Sequence, residues 1–183
     1  MMIGGCDRIV EGLRIDSMVA VAENPALIGD AKPGYGKYIQ IDLSAPRQWV
    51  SAVNKGDGVY SKVGYCPLNP NSKLVAIGPY ATNGRQLYSG SDWHDTPESD
   101  GRIHFRVFLV PGHPMPHTKY APSFDEKPYN LRTNGQDVCL RITSPGYPGE
   151  ALTTNTVLLS ARTLADAARA EPSPNQARGA TRR

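Results

Sequence analysis

The sequence predicts a mainly β fold: an antiparallel β-sandwich, immunoglobulin-like or similar, with one short helix and a disordered C-terminal tail. Three observations carry this reading. Apolar and polar residues alternate with period two in one segment after another. Turn signals separate those segments. Of 183 residues only 39% are apolar, while 18 are Gly and 16 are Pro, a mix that favours short strands and turns over long helices. The length suits one domain with tails and is enough to bury a core without relying on disulfides. The expected layout is an N-terminal segment over 1–7, the sandwich over 8–162, and a short helix with a basic tail over 163–183.

Ile9 to Ile15 and Met18 to Val21 are the first, weakly patterned strand candidates. Tyr38 to Leu43 places Ile39, Ile41 and Leu43 on one face. A short helix over Pro46 to Asn54, begun by Ser44 or Ala45, ends near Gly56. Val59 to Tyr65 puts Val59, Val63 and Tyr65 together, and Leu74 to Ile77 follows as a weaker strand. Ile103 to Val110 is the strongest strand: Ile103, Phe105, Val107 and Leu109 point one way, His104 and Arg106 the other. Val138, Leu140 and Ile142 repeat the pattern, and Thr156 to Ser160 closes a set of about eight strands. Asp57-Gly58, Asn83-Gly84, Asp100-Gly101 and Asn134-Gly135 supply the turns. Pro111 to Pro128 is proline-rich and reads as a loop, because proline cannot donate to a sheet ladder. Thr163 to Ala170 is Ala-rich and forms one or two helical turns. From Glu171 onward almost nothing is apolar, so burial there cannot offset the entropy of ordering.

Net charge is +3, with several of the cations in the last fifteen residues. The body is therefore near neutral. No cluster of Lys and Arg is evident in the sequence, which argues against a nucleic-acid partner. No apolar run approaches the roughly 20 residues of a membrane span.

Few residues suggest chemistry. His113 and His117 flank Pro114-Met115-Pro116, a soft-metal donor set, but the prolines forbid the helix that would bring the imidazoles together. They are weak metal candidates beside the plainer reading of an exposed loop. Ser91-Asp92-Trp93-His94-Asp95 holds the residue types of a hydrolase, yet lacks a Gly-x-Ser-x-Gly elbow. It reads first as a solvated loop. Trp93 there, and Tyr120 in the Pro-rich loop, are aromatic residues suited to anchoring a partner. No catalytic residue and no cofactor is assigned.

The three cysteines form no Cys-x-x-Cys pair. Cys66 and Cys139 each sit in or beside a strand-like segment. Two readings stand open: buried reduced thiols, or a Cys66–Cys139 disulfide in an oxidising compartment. Ile3-Gly4-Gly5-Cys6 looks like the end of a bacterial lipobox, with Cys6 as the lipidated residue. A basic and apolar signal segment preceding Met1 would make it a membrane anchor and leave the other two cysteines as a pair.

Cys6, and the segment from Pro128-Tyr129-Asn130-Leu131 through Asn134-Gly135 to Val138-Cys139-Leu140-Arg141-Ile142, resemble a group of bacterial envelope lipoproteins that act as type VI secretion immunity proteins. The match covers about a fifth of the chain. It implies a non-enzymatic protein, lipid-anchored on the periplasmic side of a Gram-negative envelope, that binds a secreted toxin and occludes it. The alternatives are a phage or other structural protein, cytoplasmic or in the virion, and a small hydrolase using His94.

Overall fold

The computed structural model describes residues 8–22, 37–53, 58–68, 74–88, 100–113, 128–144 and 152–172. Cys6, Trp93, His94, His117, Tyr120 and the tail from 173 onward lie outside these residues.

In chain order the elements are β1 Arg8–Val10, β2 Arg14–Val21, β3 Tyr38–Pro46, α1 Arg47–Ala52, β4 Tyr60–Tyr65, β5 Ala76–Thr82 and β6 Leu87–Tyr88. They continue with β7 Arg102–Leu109, β8 Gly112–His113, β9 Tyr129–Asn130, β10 Val138–Ser144, β11 Leu152–Thr154, β12 Val157–Leu159 and α2 Ala161–Arg169. Two five-stranded sheets form a sandwich. Sheet A runs β1-β11-β10-β12, with β4 on the other side of β10; sheet B runs β2-β3-β7-β5-β6. Every pairing is antiparallel except β1 with β11, which is parallel. A small β8–β9 ladder stands apart.

The core lies where the alternation places it. Ile39, Ile41 and Leu43 of β3, Ile103, Phe105, Val107 and Leu109 of β7, and Val138, Leu140 and Ile142 of β10 join one buried cluster. Burying each such side chain contributes about 1.5–3 kcal/mol. Trp49 of α1 drops into this core, edge-on to Phe105 with centroids 5.8 Å apart.

Several elements differ from the sequence expectation. The stretch from Ile9 to Ile15 is split: β1 belongs to sheet A and β2 to sheet B. The corner between them needs Gly12, whose φ is +104° and whose added Cβ would meet Pro46 Cγ at 2.7 Å. Asn155, just past the end of the neighbouring strand β11, clamps the corner, accepting from the Gly12 and Leu13 amides at 2.9 and 2.7 Å and donating to the Leu13 carbonyl at 3.2 Å. Ser44 does not start α1; it is buried within β3. α2 begins at Ala161 and sends Leu164 and Ala168 into the main core, so it is part of the sandwich body and not of the tail. Ser160 caps it, accepting from the Thr163 amide at 3.2 Å.

Candidate functional site

Three surfaces bring chemically capable side chains together, and none was visible as a sequence motif. The first is the outer face of sheet B. A β-bulge in β2, between Ile15 and Ser17, turns both Asp16 and Ser17 outward while Ile15 and Met18 still pack on the core. A bulge of this kind re-aims side chains without ending the strand. Across the face, Ser17 lies opposite Asp42 and Asp42 opposite Arg106.

The resulting network is densely bonded. Ser44 Oγ accepts from Arg14 Nε at 3.1 Å and Arg102 Nε at 3.0 Å, and donates to Asp16 Oδ1 at 3.0 Å. That uses the whole capacity of a hydroxyl. Asp42 accepts from Arg106 Nε at 2.7 Å, Ser17 Oγ at 2.8 Å and Gln40 Nε2 at 3.0 Å. His104 stands between two carboxylates, with Nδ1 3.5 Å from Asp16 and Nε2 3.2 Å from Asp100. Asp100 reaches it from a turn in which its own φ is +57°, a left-handed conformation that Asp tolerates better than most residues. A groove of about 710 Å³ opens over Asp16, Asp42, His104 and Arg106. Carboxylates occupy both sides of the imidazole, and no described hydroxyl or thiol is bonded to it. The arrangement is a clasp across strands and lacks the nucleophile–base contact of a hydrolytic relay.

Beside this network the same face turns apolar. Tyr38, Phe108, Val21 and Val110 are buried there, with Tyr80, Ile77 and Leu87 against them. Tyr80 packs obliquely on Phe108 at 6.4 Å, and burial raises its pKa above the ordinary tyrosine range.

A second surface is a cleft of about 480 Å³ between the turn after β9 and α2, where Arg132, Arg162 and Arg169 meet. The sequence showed no such cluster. Two of the three are committed to the helix end: Arg132 Nε donates to the Ala168 carbonyl at 3.2 Å, and Arg169 donates to the Arg132 carbonyl at 2.7 Å. The Arg132 contact is one by which cations commonly satisfy the last carbonyls of a helix. Nearby, Asn134 donates to the Tyr65 hydroxyl. The Tyr65 pKa is raised by burial, with this hydrogen bond working in the opposite direction.

The third surface is the outer face of sheet A. β4 and β10 pair so that Lys62 lies directly opposite Arg141, Gly64 opposite Cys139 and Tyr60 opposite Thr143. Leu158 of β12 pairs with Cys139 from the other side. Cys139 is disulfide-bonded to Cys66, with Cα atoms 5.1 Å apart, so the two are not free thiols, and the bridge lies on this face.

Of the metal candidates, His113 falls in β8 with only its backbone described, and its partner His117 lies outside the described residues. Among the described residues no group of three or more His, Cys, Asp or Glu is placed to hold a metal ion. Trp93 and Tyr120, the proposed anchors, and Cys6, the proposed lipid site, also lie outside the described residues. Compared with known proteins, the chain matches no family, no curated protein and no solved structure.

Proposed function

We propose that this chain is a non-enzymatic, envelope-associated binding protein that protects its host from a secreted toxin by occluding it, tethered to the membrane through lipidated Cys6. The observation that carries the reading is the Cys66–Cys139 disulfide. Disulfides persist in oxidising compartments such as the periplasm and are rare in the cytosol. With those two cysteines bonded, Cys6 is the one thiol left for a lipid. The saturated His104 network favours binding over catalysis for the described body, because its imidazole is already held by carboxylates.

The test uses the genes flanking the one that encodes this chain. A flanking gene is expected to encode a secreted toxin that forms a stable stoichiometric complex with the purified protein. Cells exporting this chain to the periplasm should survive that toxin. Mass spectrometry of protein from the native host should find an acyl chain on Cys6, and thiol labelling after denaturation should leave Cys66 and Cys139 unmodified. Free labelling of both cysteines, with no complex, overturns the reading.

A further inference from the structure

We propose that the outer face of sheet A, centred on Lys62 and Arg141, is the docking surface, and that it takes an acidic protein segment whose carboxylates alternate with apolar side chains. The proposal rests on the reading of the chain as a protein-binding module and names the partner's chemistry and the surface it meets.

The first observation is where exposed apolar area collects. Among the described residues, the strongly exposed large hydrophobics are Ile9 at 56%, Tyr60 at 57% and Leu158 at 56%. All three are on this face. Val10, Val59, Val157 and Leu159, one position away on their strands, pack on the core instead, so the alternation of the strand fixes the outward direction. Ile9 aligns with Thr153, Thr153 with Thr143, and Thr143 with Tyr60. In that row, about 14 Å across four strands at the usual interstrand spacing, Thr153 and Thr143 at the centre are buried, and Ile9 and Tyr60 at the two ends are exposed. Leu158 stands beside the disulfide, opposite Cys139 and four residues along β10 from Thr143.

The second observation is charge. Lys62 and Arg141 are direct cross-strand neighbours, and like charges so placed repel. No carboxylate among the described residues forms an ion pair with either. The Arg141 Nε–H is buried without a hydrogen bond, a cost that folded chains seldom leave standing. On sheet B, by contrast, Arg14, His104 and Arg106 each face an aspartate. Two unneutralised cations amid exposed Ile, Leu and Tyr make a surface complementary to negative charge set among apolar groups. Tyr and Arg are also the residue types that dominate binding energy at interfaces.

Charge decides between occupants. A second copy docking about a two-fold axis would set the Lys62–Arg141 pair against itself. An anionic membrane surface draws on clusters of 4–8 cations at about 1 kcal/mol each, and among the described residues this face pairs only Lys62 with Arg141. An acidic protein segment meets both the cations and the apolar flanks.

The experiment titrates the isotope-labelled protein with a short peptide of glutamates around a Phe-Leu centre, reading backbone amide shifts. A lysine version of the peptide, vesicles of phosphatidylglycerol and phosphatidylethanolamine, and sedimentation of the protein alone are the other arms. Shifts are expected along β4, β10 and β12 with the acidic peptide only. Lys62→Glu and Leu158→Ser should each weaken that binding by about tenfold or more, while thermal unfolding shows both variants folded. Shifts confined to the His104 groove, equal binding of the lysine peptide, preference for the vesicles, or self-association through this face overturns the proposal. The toxin complex separates the two levels. If Lys62→Glu and Leu158→Ser leave it intact, this face is wrong and the protein-binding reading stands. If the wild-type protein forms no complex, the broader reading fails and the peptide titration still judges the face.

Discussion

The two outer faces of the sandwich solve the same problem in opposite ways. Each belongs to a five-stranded sheet whose inner side is the shared core, and each carries cations on its strands. On sheet B the cations Arg14 and Arg106 are neutralised by Asp16 and Asp42, the His104 ring stands between Asp16 and Asp100, and the hydroxyls of Ser17 and Ser44 join them. Sheet A sets Lys62 against Arg141 with no ion-paired acid among the described residues, and leaves Ile9, Tyr60 and Leu158 in solvent. Unpaired like charges and stranded apolar area lower the stability of the free protein, so a face that keeps both is better suited to a partner than to the monomer. A stability–function trade of this kind is common at binding surfaces. The face with the more elaborate hydrogen bonding is therefore the one less available to a ligand.

The largest expected effect tests what holds the open face together. Cys66 and Cys139 are 73 residues apart in sequence, and closing a loop of that size stabilises by about 4 kcal/mol in the chain-entropy account. The Cys66→Ala/Cys139→Ala double variant should show that loss in urea unfolding, with the wild type under reducing conditions matching it. Amide exchange sharpens the comparison. If sheet A opens while sheet B stays protected, the two faces belong to separate cooperative units; uniform loosening makes them one.

Next in size is the closed face. Removing the Asp42 carboxylate leaves Arg106 Nε, Ser17 Oγ and Gln40 Nε2 without their acceptor. The pair is partly exposed, with side chains at 20% and 25%, so water recovers some of the loss. Asp42→Ala should cost about 1–2 kcal/mol by chemical denaturation. Lys62→Ala on the other sheet should cost nothing measurable. Equal costs would break the contrast between a satisfied and an unsatisfied face.

How much of this was legible beforehand depends on register. The long alternating runs in β3, β7 and β10 were plain because both of their faces are constrained: the core takes every second residue without a break. Irregular strands hid themselves. The bulge at Asp16 puts Ile15 and Met18 three apart, which breaks the period of two. β5 shifts register between Ile77 and Tyr80, across Gly78, whose φ is +103° and whose added Cβ would meet the Arg106 carbonyl at 2.8 Å. β6, β8 and β9 are two residues each, too short to carry a pattern. Sequence reasoning about function went to conspicuous residue types in loops: Trp93, His94, His113, His117 and Tyr120. The Lys62–Arg141 and Asp16–His104 juxtapositions are made by strand pairing between distant segments, and nothing in the local sequence around either residue announces its neighbour.

Replacing Lys62 by Glu should turn a repulsive cross-strand pair into an attractive one. The free protein is then expected to gain about 0.5 kcal/mol, the usual size of a cross-strand charge pair, read as a small upward shift in the unfolding midpoint that shrinks with added salt. The sign matters more than the size. A variant that is more stable yet binds the acidic peptide worse would show that the wild-type pair is kept against the interest of the fold. A loss of stability would mean that Arg141 and Lys62 are not in conflict, and the asymmetry between the faces would disappear.

The finest test is alkaline. Tyr80 sits on the outer face of sheet B against Phe108, and burial there raises its pKa. A tyrosine whose folded pKa exceeds its unfolded one favours the folded state while the hydroxyl is neutral. That advantage is fully present below the unfolded pKa of about 10 and is lost as pH rises through the higher folded value. Unfolding midpoints of the wild type should therefore fall more steeply above pH ~10 than those of Tyr80→Phe, with the two curves parallel at neutral pH. Tyr65→Phe should show the same sign, because burial is also the larger influence on Tyr65, with the Asn134 hydrogen bond opposing it. If Tyr80→Phe leaves the alkaline limb unchanged, water reaches that hydroxyl freely, and sheet B is open over its apolar half as sheet A is over Tyr60.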